Sequence, residues 1–411
     1  MKPLRSVDVG IAGQRVGELV AAPRGGIYFA YDTQWLATGF ALSPLNMPFN
    51  AMPQTAANQA LFGGLHGAFA DSLPDGWGML LMDRWFLREH GIDRRRISPL
   101  DRLAYIGNRA MGALEYRPRL DRDDTGPLAL APLYQAALQA YEGDTGAVLD
   151  ALRLAGGSPG GARPKVVVAL STDLGHCASP FAPLPANHAH WLVKFRSPNE
   201  HRDTGAIEFA YAQMAAAAGV RTSECALLPV ETATGRERFF ATRRFDRDGD
   251  RKRHMLTASG LLYADHRMPS LDYGDLLRAV WAITRHAGEV EHMARLMVFN
   301  ALAHNRDDHA KNVAFLFDAG HWQLAPAYDL TFSHAGGMAN EHTTAFAGAG
   351  LPTRAALRKA CEPFPFLDVD RDIARTLEAL SGWERLCREL DIAPQEATTI
   401  AATLQGVRNA L

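Results

Sequence analysis

The stretch Asn305-Arg306-Asp307-Asp308-His309-Ala310-Lys311-Asn312, followed by Pro326-Ala327-Tyr328-Asp329, decides how this chain is read. Asp307 precedes Asn312 by five positions, and Asp329 comes seventeen positions after Asn312, past residues that read as a β-hairpin. Phosphoryl transfer from a nucleotide needs this grouping. One carboxylate accepts or orients the attacking hydroxyl, while an amide oxygen and a second carboxylate hold the Mg²⁺ that bridges the phosphates. Oxygen donors of this kind suit a hard cation. Taken singly, Asp307 reads as a helix-end cap or a solvated acid, and Asn312 as a turn amide. Their order and spacing favour the catalytic reading. Asp329 lies in the apolar run 322–330, where a carboxylate without a partner is costly and a metal is the better explanation. His309 reads as support for the loop backbone, and Lys311 as a charge facing the transferred phosphoryl group or as an exposed lysine.

Composition sets the outer bounds. With 411 residues the chain exceeds the size at which one core stops growing, so two or three packed units are expected. A hydrophobic content of 47% and a charged content of 21% are those of an ordinary globular protein. Its 43 basic and 45 acidic side chains leave a net charge of −2, which excludes a global field for nucleic acid or membrane. Cys177, Cys225, Cys361 and Cys387 are far apart and read as reduced thiols of a cytoplasmic protein. The amino terminus has no apolar signal core, and no run is long enough to span a membrane.

Along the chain, strands are expected at 7–11, 15–20 and 26–31, with turn signals at Ala12-Gly13 and at 23–26. Helices are expected at 79–89 and 99–106. The charged, breaker-rich segment 119–127 is the candidate boundary. Beyond it come a helical stretch at 128–154, a glycine-rich turn at 156–161 and a strand at 165–170. Next follow a connection with three prolines, a strand at 191–195, and a helix at 207–219 that ends on glycine. Strands at 226–231 and 238–245 complete the plan of a kinase-like small lobe. Helices are then expected at 273–285, 290–304, 354–359, 369–390 and 394–411. The division is 1–125, a β-rich amino-terminal module; 126–250, a small lobe with the glycine-rich loop; and 251–411, a helical catalytic lobe.

Lys194 is a charge inside the apolar strand Trp191-Leu192-Val193-Lys194-Phe195, either an edge-strand gatekeeper or a lysine that grips nucleotide phosphates. The helix that follows carries Glu208, whose pairing with Lys194 would favour the second reading. The segment from Gly156 to Lys165 includes Gly160, Gly161 and Ala162, and its glycines let backbone N–H groups approach phosphate. It matches neither common glycine-loop fingerprint.

With these residues in view, the chain resembles the HipA family, the kinase toxins of bacterial toxin–antitoxin pairs. The resemblance runs through Val16-Gly17-Glu18-Leu19, Tyr28 to Asp32 with Trp35-Leu36, Ser43-Pro44-Leu45, and Asp71-Ser72-Leu73-Pro74-Asp75-Gly76. It continues through Tyr105-Ile106-Gly107, Met111 to Leu114, Ser158 to Lys165, Lys194, Arg244 to Arg247, Asp307 to Asn312 and Pro326 to Asp329. It implies an α+β, HipA-like two-lobed kinase fold with a β-rich amino-terminal module and a helical carboxy-terminal lobe. It implies Asp307 as the catalytic aspartate, Asn312 and Asp329 as Mg²⁺ ligands, and Lys194 as the ATP-phosphate lysine. Gly160, Gly161, Ala162, Lys165, Glu208, His309 and Lys311 join the ATP site, and Arg243 to Phe245 match the adenine-cradling hinge. Ser158 falls where the family is autophosphorylated, and phosphate there would add negative charge to a loop meant for ATP. The resemblance further implies a HipB-like helix-turn-helix antitoxin, operator DNA reached through that antitoxin, and a protein substrate from translation such as an aminoacyl-tRNA synthetase.

Two other readings of the residues stay open. His304, Asp307, Asp308 and His309 could serve as ligands of a hydrolase metal centre. The chain could also be a non-catalytic co-repressor scaffold.

Overall fold

The computed structural model describes residues 2–23, 25–120, 128–143, 146–156, 160–333 and 341–411. The chain has an α+β fold and divides into two compact units. One holds Met1–Glu200, Leu228–Leu256 and Gly260–Tyr263; the other holds His201–Leu227, Thr257–Ser259 and Ala264–Leu411.

In the first unit, strands β1 (Ser6–Ile11), β2 (Gln14–Ala21), β3 (Ile27–Tyr31), β4 (Gln54–Thr55) and β5 (Glu115–Arg117) form a sheet in the order β4-β3-β2-β1-β5. Ala12 and Gly13 both take positive φ, which gives the tight reversal that suits strand twist. Val7, Val9, Val16, Leu19 and Phe29 are buried, as the alternating pattern requires. The helix Gly76–His90 and the helix Pro99–Ile106 belong to the same unit. The second starts at a capping box in which Ser98 Oγ accepts from Asp101 N and the Asp101 carboxylate accepts from Ser98 N.

A second sheet is built from β6 (Lys165–Ser171), β7 (Cys177–Ala178), β8 (His188–Lys194), β9 (Cys225–Thr232) and β10 (Gly235–Arg243), in the order β7-β6-β8-β10-β9. Every residue of β6 is buried, as in a strand covered on both faces. The expected long helix at 128–154 is two helices, Leu130–Glu142 and Ala147–Leu154. Gly143, at φ 109°, ends the first in a conformation that glycine tolerates best. Tyr134 of the first helix packs on Phe195 and Phe239, with ring centroids 5.6 and 5.0 Å away.

The second unit is mainly helical. From Val290 onward the helix Ala287–Leu302 is buried at nearly every position, which marks it as the centre of its core. The helix Thr204–Ala217 closes with a Schellman motif: Gly219 N donates to Ala216 O and Val220 N to Ala215 O, both at 2.9 Å, with Gly219 at φ 81°. Tyr211 on this helix donates its hydroxyl to Ala303 O at 2.9 Å. The expected helix at 369–390 is broken into Val369–Leu380 and Trp383–Glu389. The turn at Ser381-Gly382 brings Trp383 against Tyr211, and its indole N–H donates to Ala397 O. The expected hairpin is present as Ala314–Asp318 paired with His321–Leu324, again through an Ala-Gly turn of positive φ. Among the described residues the four cysteines are free thiols, and no helix is long and apolar enough to cross a membrane.

Burial holds His66, His190 and His254 of the first unit down to about 4 from an ordinary 6.5. In the unfolded chain each takes up a proton near its ordinary value. Between the two values the unfolded state therefore binds more protons, and stability is lost as pH falls through that window. Melting temperatures followed downward from neutral pH are expected to drop across it, with a shallower slope for His254→Gln. A melting temperature flat over that range would contradict this account of the histidines.

Candidate functional site

The loop that carries the acids begins where the helix Ala287–Leu302 ends. His304 takes a left-handed conformation, φ 55°, and stacks on Phe332 with centroids 5.1 Å apart. The backbone then runs out past helix 287–302 and must find partners for its polar groups elsewhere. Ser333 supplies one set: its Oγ accepts from Arg306 N at 2.8 Å and from Asp307 N at 3.2 Å, and its own N–H donates to His304 O. The segment 342–344 supplies another. Thr343 donates to Arg306 O through both its N–H and its hydroxyl.

The two adjacent acids go opposite ways. Asp307 is exposed, with 68% of its side chain open to solvent, and Asp308 is buried at 1%. Asp308 Oδ1 accepts from Thr343 N at 2.9 Å and Thr344 N at 3.1 Å. Its Oδ2 accepts from the Tyr273 hydroxyl at 2.8 Å and lies 3.0 Å from His342 Nδ1. The Thr344 hydroxyl donates to the Asp308 carbonyl. Asn300 donates to Tyr273 and accepts from Asn305, which continues the network back into helix 287–302. Burial beside this carboxylate pushes the Tyr273 hydroxyl well above its usual range. A buried charge so fully hydrogen-bonded is stable where an unpaired one is not.

Around exposed Asp307 stand the other predicted residues of the loop. Asn312 Nδ2 donates to the Asp307 carbonyl at 2.7 Å, so the amide's oxygen end is the one not committed to that bond. His309 Nε2 is 3.8 Å from Asp307 Oδ1, and Lys311 is half-buried. Asp329 is tied to the same loop, because the hydroxyl of neighbouring Tyr328 donates to Lys311 O. Ala327 N also donates to Arg221 O at 2.7 Å, anchoring the segment. Asp329 itself has φ 57°, a left-handed conformation that a non-glycine residue holds only when its surroundings impose it. The two residues expected to hold Mg²⁺, Asn312 and Asp329, both carry side-chain oxygen, the donor type a hard cation takes.

In the first unit, Lys165 and Lys194 stand opposite one another across the β6–β8 ladder, and both are buried. Lys165 Nζ donates to Gly160 O, and Lys194 Nζ lies 5.6 Å from the Phe240 ring centroid. Like charges directly opposite in a ladder disfavour each other, so each ammonium group needs acceptors or an opposite charge close by. This arrangement fits the phosphate chain of ATP. Gly160, Gly161 and Ala162 lead into β6; Arg243 is exposed at the end of β10 and Phe245 is half-buried. Glu208 is buried on the helix Thr204–Ala217 in the second unit. Ser158 lies outside the described residues.

Among the described residues, no three His, Cys, Asp or Glu side chains are grouped to hold a metal ion. The carboxylate of Asp308 is committed to Tyr273, His342 and two backbone amides, which removes it from the hydrolase ligand set. Sequence reasoning did not find Asp308, Ser333, Tyr273, His342 or Thr344 as supports of the loop. The one available signal was the Asp-Asp pair itself, since neighbours on an extended backbone face opposite sides.

The HipA-like C-terminal domain family matches residues 157–409, and the HipA N-terminal domain family matches residues 7–117. The chain belongs to the HipA family. A relative in Sinorhizobium fredii (strain NBRC 101917 / NGR234), named "Putative kinase Y4mE", is 29% identical over 355 residues, covering 80% of this chain and 77% of its own. The HipA fold is shared with HipA of Shewanella oneidensis MR-1, solved as a toxin–antitoxin complex with HipB and operator DNA. That match has a TM-score of 0.67 at 17% identity, over 98% of this chain and 95% of the other.

The two neighbouring acids are expected to behave differently in urea unfolding. Asp308→Ala should cost about 3 kcal/mol or more, because buried donors lose their acceptor. Asp307→Ala should change stability by no more than about 0.5 kcal/mol, as exposed positions do. Equal effects would show that the inward and outward orientations are wrong.

Proposed function

We propose that this HipA-family chain is an ATP- and Mg²⁺-dependent serine/threonine-protein kinase, the toxin of a type II toxin–antitoxin pair. The observation that carries the reading is the tie between Tyr328 and Lys311, which holds Asp329 to the loop bearing Asp307 and Asn312. Asp307 accepts the proton of a protein hydroxyl and aims its oxygen at the γ-phosphorus. That oxygen–phosphorus bond forms as the bond to the β-phosphate oxygen breaks, and ADP leaves. Asn312 and Asp329 would hold Mg²⁺, which when bound offsets charge on the phosphate oxygens. Lys194 and Lys165 hold the phosphates, with the N–H groups of the glycine segment and support from Glu208, His309 and Lys311. Arg243 and Phe245 belong to the adenine hinge. Ser158 is the autophosphorylation site, and the added phosphate charge would compete with ATP there.

The relative's name as a kinase supports the activity. The Shewanella complex with HipB and operator DNA supports a helix-turn-helix antitoxin that brings DNA to this chain. A net charge of −2 agrees with DNA contact delegated to such a partner. The protein substrate belongs to translation, as an aminoacyl-tRNA synthetase does, and the reaction takes place in the cytoplasm. The functional division into 1–125, 126–250 and 251–411 is part of the same proposal.

Purified protein given radiolabelled ATP and Mg²⁺ is expected to label itself at Ser158, read by phosphopeptide mapping. Asp307→Ala should label at least about a hundredfold more slowly, the scale of a lost catalytic base. Labelling undiminished in that variant would end the assignment. A scaffold would show no label yet still shift operator DNA with its antitoxin. For Asn312→Ala and Asp329→Ala, the Mg²⁺ concentration giving half-maximal labelling should rise by roughly tenfold or more, as loss of one oxygen ligand implies. An unaltered Mg²⁺ requirement would remove them from the cation site.

A further inference from the structure

Asp75 is the N-cap residue of the helix Gly76–His90, yet its side chain makes no capping bond to that helix. Its carboxylate accepts instead from the backbone N–H of Gly161, 86 positions along the chain. In return the N–H of Trp77, one of the helix's orphan donors, donates to Gly161 O at 3.1 Å. The two segments thus cap each other, in the reciprocal manner a capping box achieves within one helix. Glycine makes the approach possible. A Cβ on Gly76 would stand 2.5 Å from Gly161 O, and one on Gly160 would stand 3.0 Å from Asp75 Oδ2. Gly161 has φ 97°, and Lys165 Nζ donates to the Gly160 carbonyl at the same corner. The motif at 71–76, which the catalytic reading leaves without a role, therefore grips the limb of the glycine segment that leads into β6.

We propose that Asp75 is a positioning residue for the nucleotide, a reading that rests on the kinase function above. It holds Gly160 and Gly161 in the shape that receives phosphates and keeps Lys165 in place beside Lys194. The amino-terminal motif thereby sets how tightly ATP is held, while Asp307 carries the chemistry.

Two readouts on the full chain test this. Hydrogen exchange without nucleotide, resolved over residues 160–165, is expected to speed up at Gly161 by about tenfold in Asp75→Ala, the scale of one lost charge-assisted bond. Asp75→Asn keeps an acceptor oxygen and should stay within about threefold of the native chain. In the kinase assay, Asp75→Ala should raise the KM for ATP by about tenfold with kcat within about twofold, and Asp75→Asn should recover most of it. Should the alanine chain fail to fold, Asp75→Ser offers the helix a capping hydroxyl, on a side chain too short to reach Gly161, and is read in the same way. Unchanged exchange at Gly161 would overturn the contact. Faster exchange with an unchanged or lower KM would overturn the positioning role. A native chain that never uses ATP would remove the kinase reading and the nucleotide role together, while exchange still judges the contact.

Discussion

The carboxylate of Asp308 sits in a nearly closed environment and is met there by Tyr273, His342 and the amides of Thr343 and Thr344. A charge in that place is tolerable only with all of these partners present, so the loop has one low-energy position rather than several. The residue before it must then face the other way. Exposed Asp307 owes its orientation to the burial of its neighbour. Ser333 reinforces this by taking the amides of Arg306 and Asp307.

From that anchor the rest of the site follows by short ties. Asn312 returns its amide nitrogen to the Asp307 carbonyl, which sets the depth of the turn Ala310–Asn312. Tyr328 reaches Lys311, and so the strained left-handed backbone at Asp329 is held beside the loop and not left to relax. Asp307, Asn312 and the segment carrying Asp329 are thereby joined within one unit by hydrogen bonds of Asn312 and Tyr328. The first unit uses a different device. There, two buried lysines share one register position of the β6–β8 ladder, and Lys165 donates to the Gly160 carbonyl.

The sequence was most legible where the deciding interactions are local. The helix Pro99–Ile106 was read to its exact bounds because Ser98 and Asp101 cap it within four residues. The hairpin before Asp329 and the glycine that ends the helix Thr204–Ala217 were legible for the same reason. Boundaries inside long apolar runs were not. The break at Ser381-Gly382 serves packing partners of Trp383, Tyr211 and Ala397, that lie outside the run itself.

By itself the amino-acid order determined the family, the α+β plan and the spacing of Asp307, Asn312 and Asp329, because a catalytic loop is contiguous and its chemistry constrains residue type directly. Only the tertiary structure decided which of two adjacent aspartates faces outward. It also decided that Ser333 and the segment 342–344 hold the loop, and that Asp75 caps a glycine 86 positions away. The physical reason is common to all three. Each depends on which distant donor meets a buried carboxylate or an orphan amide, and that meeting exists only once the chain has folded.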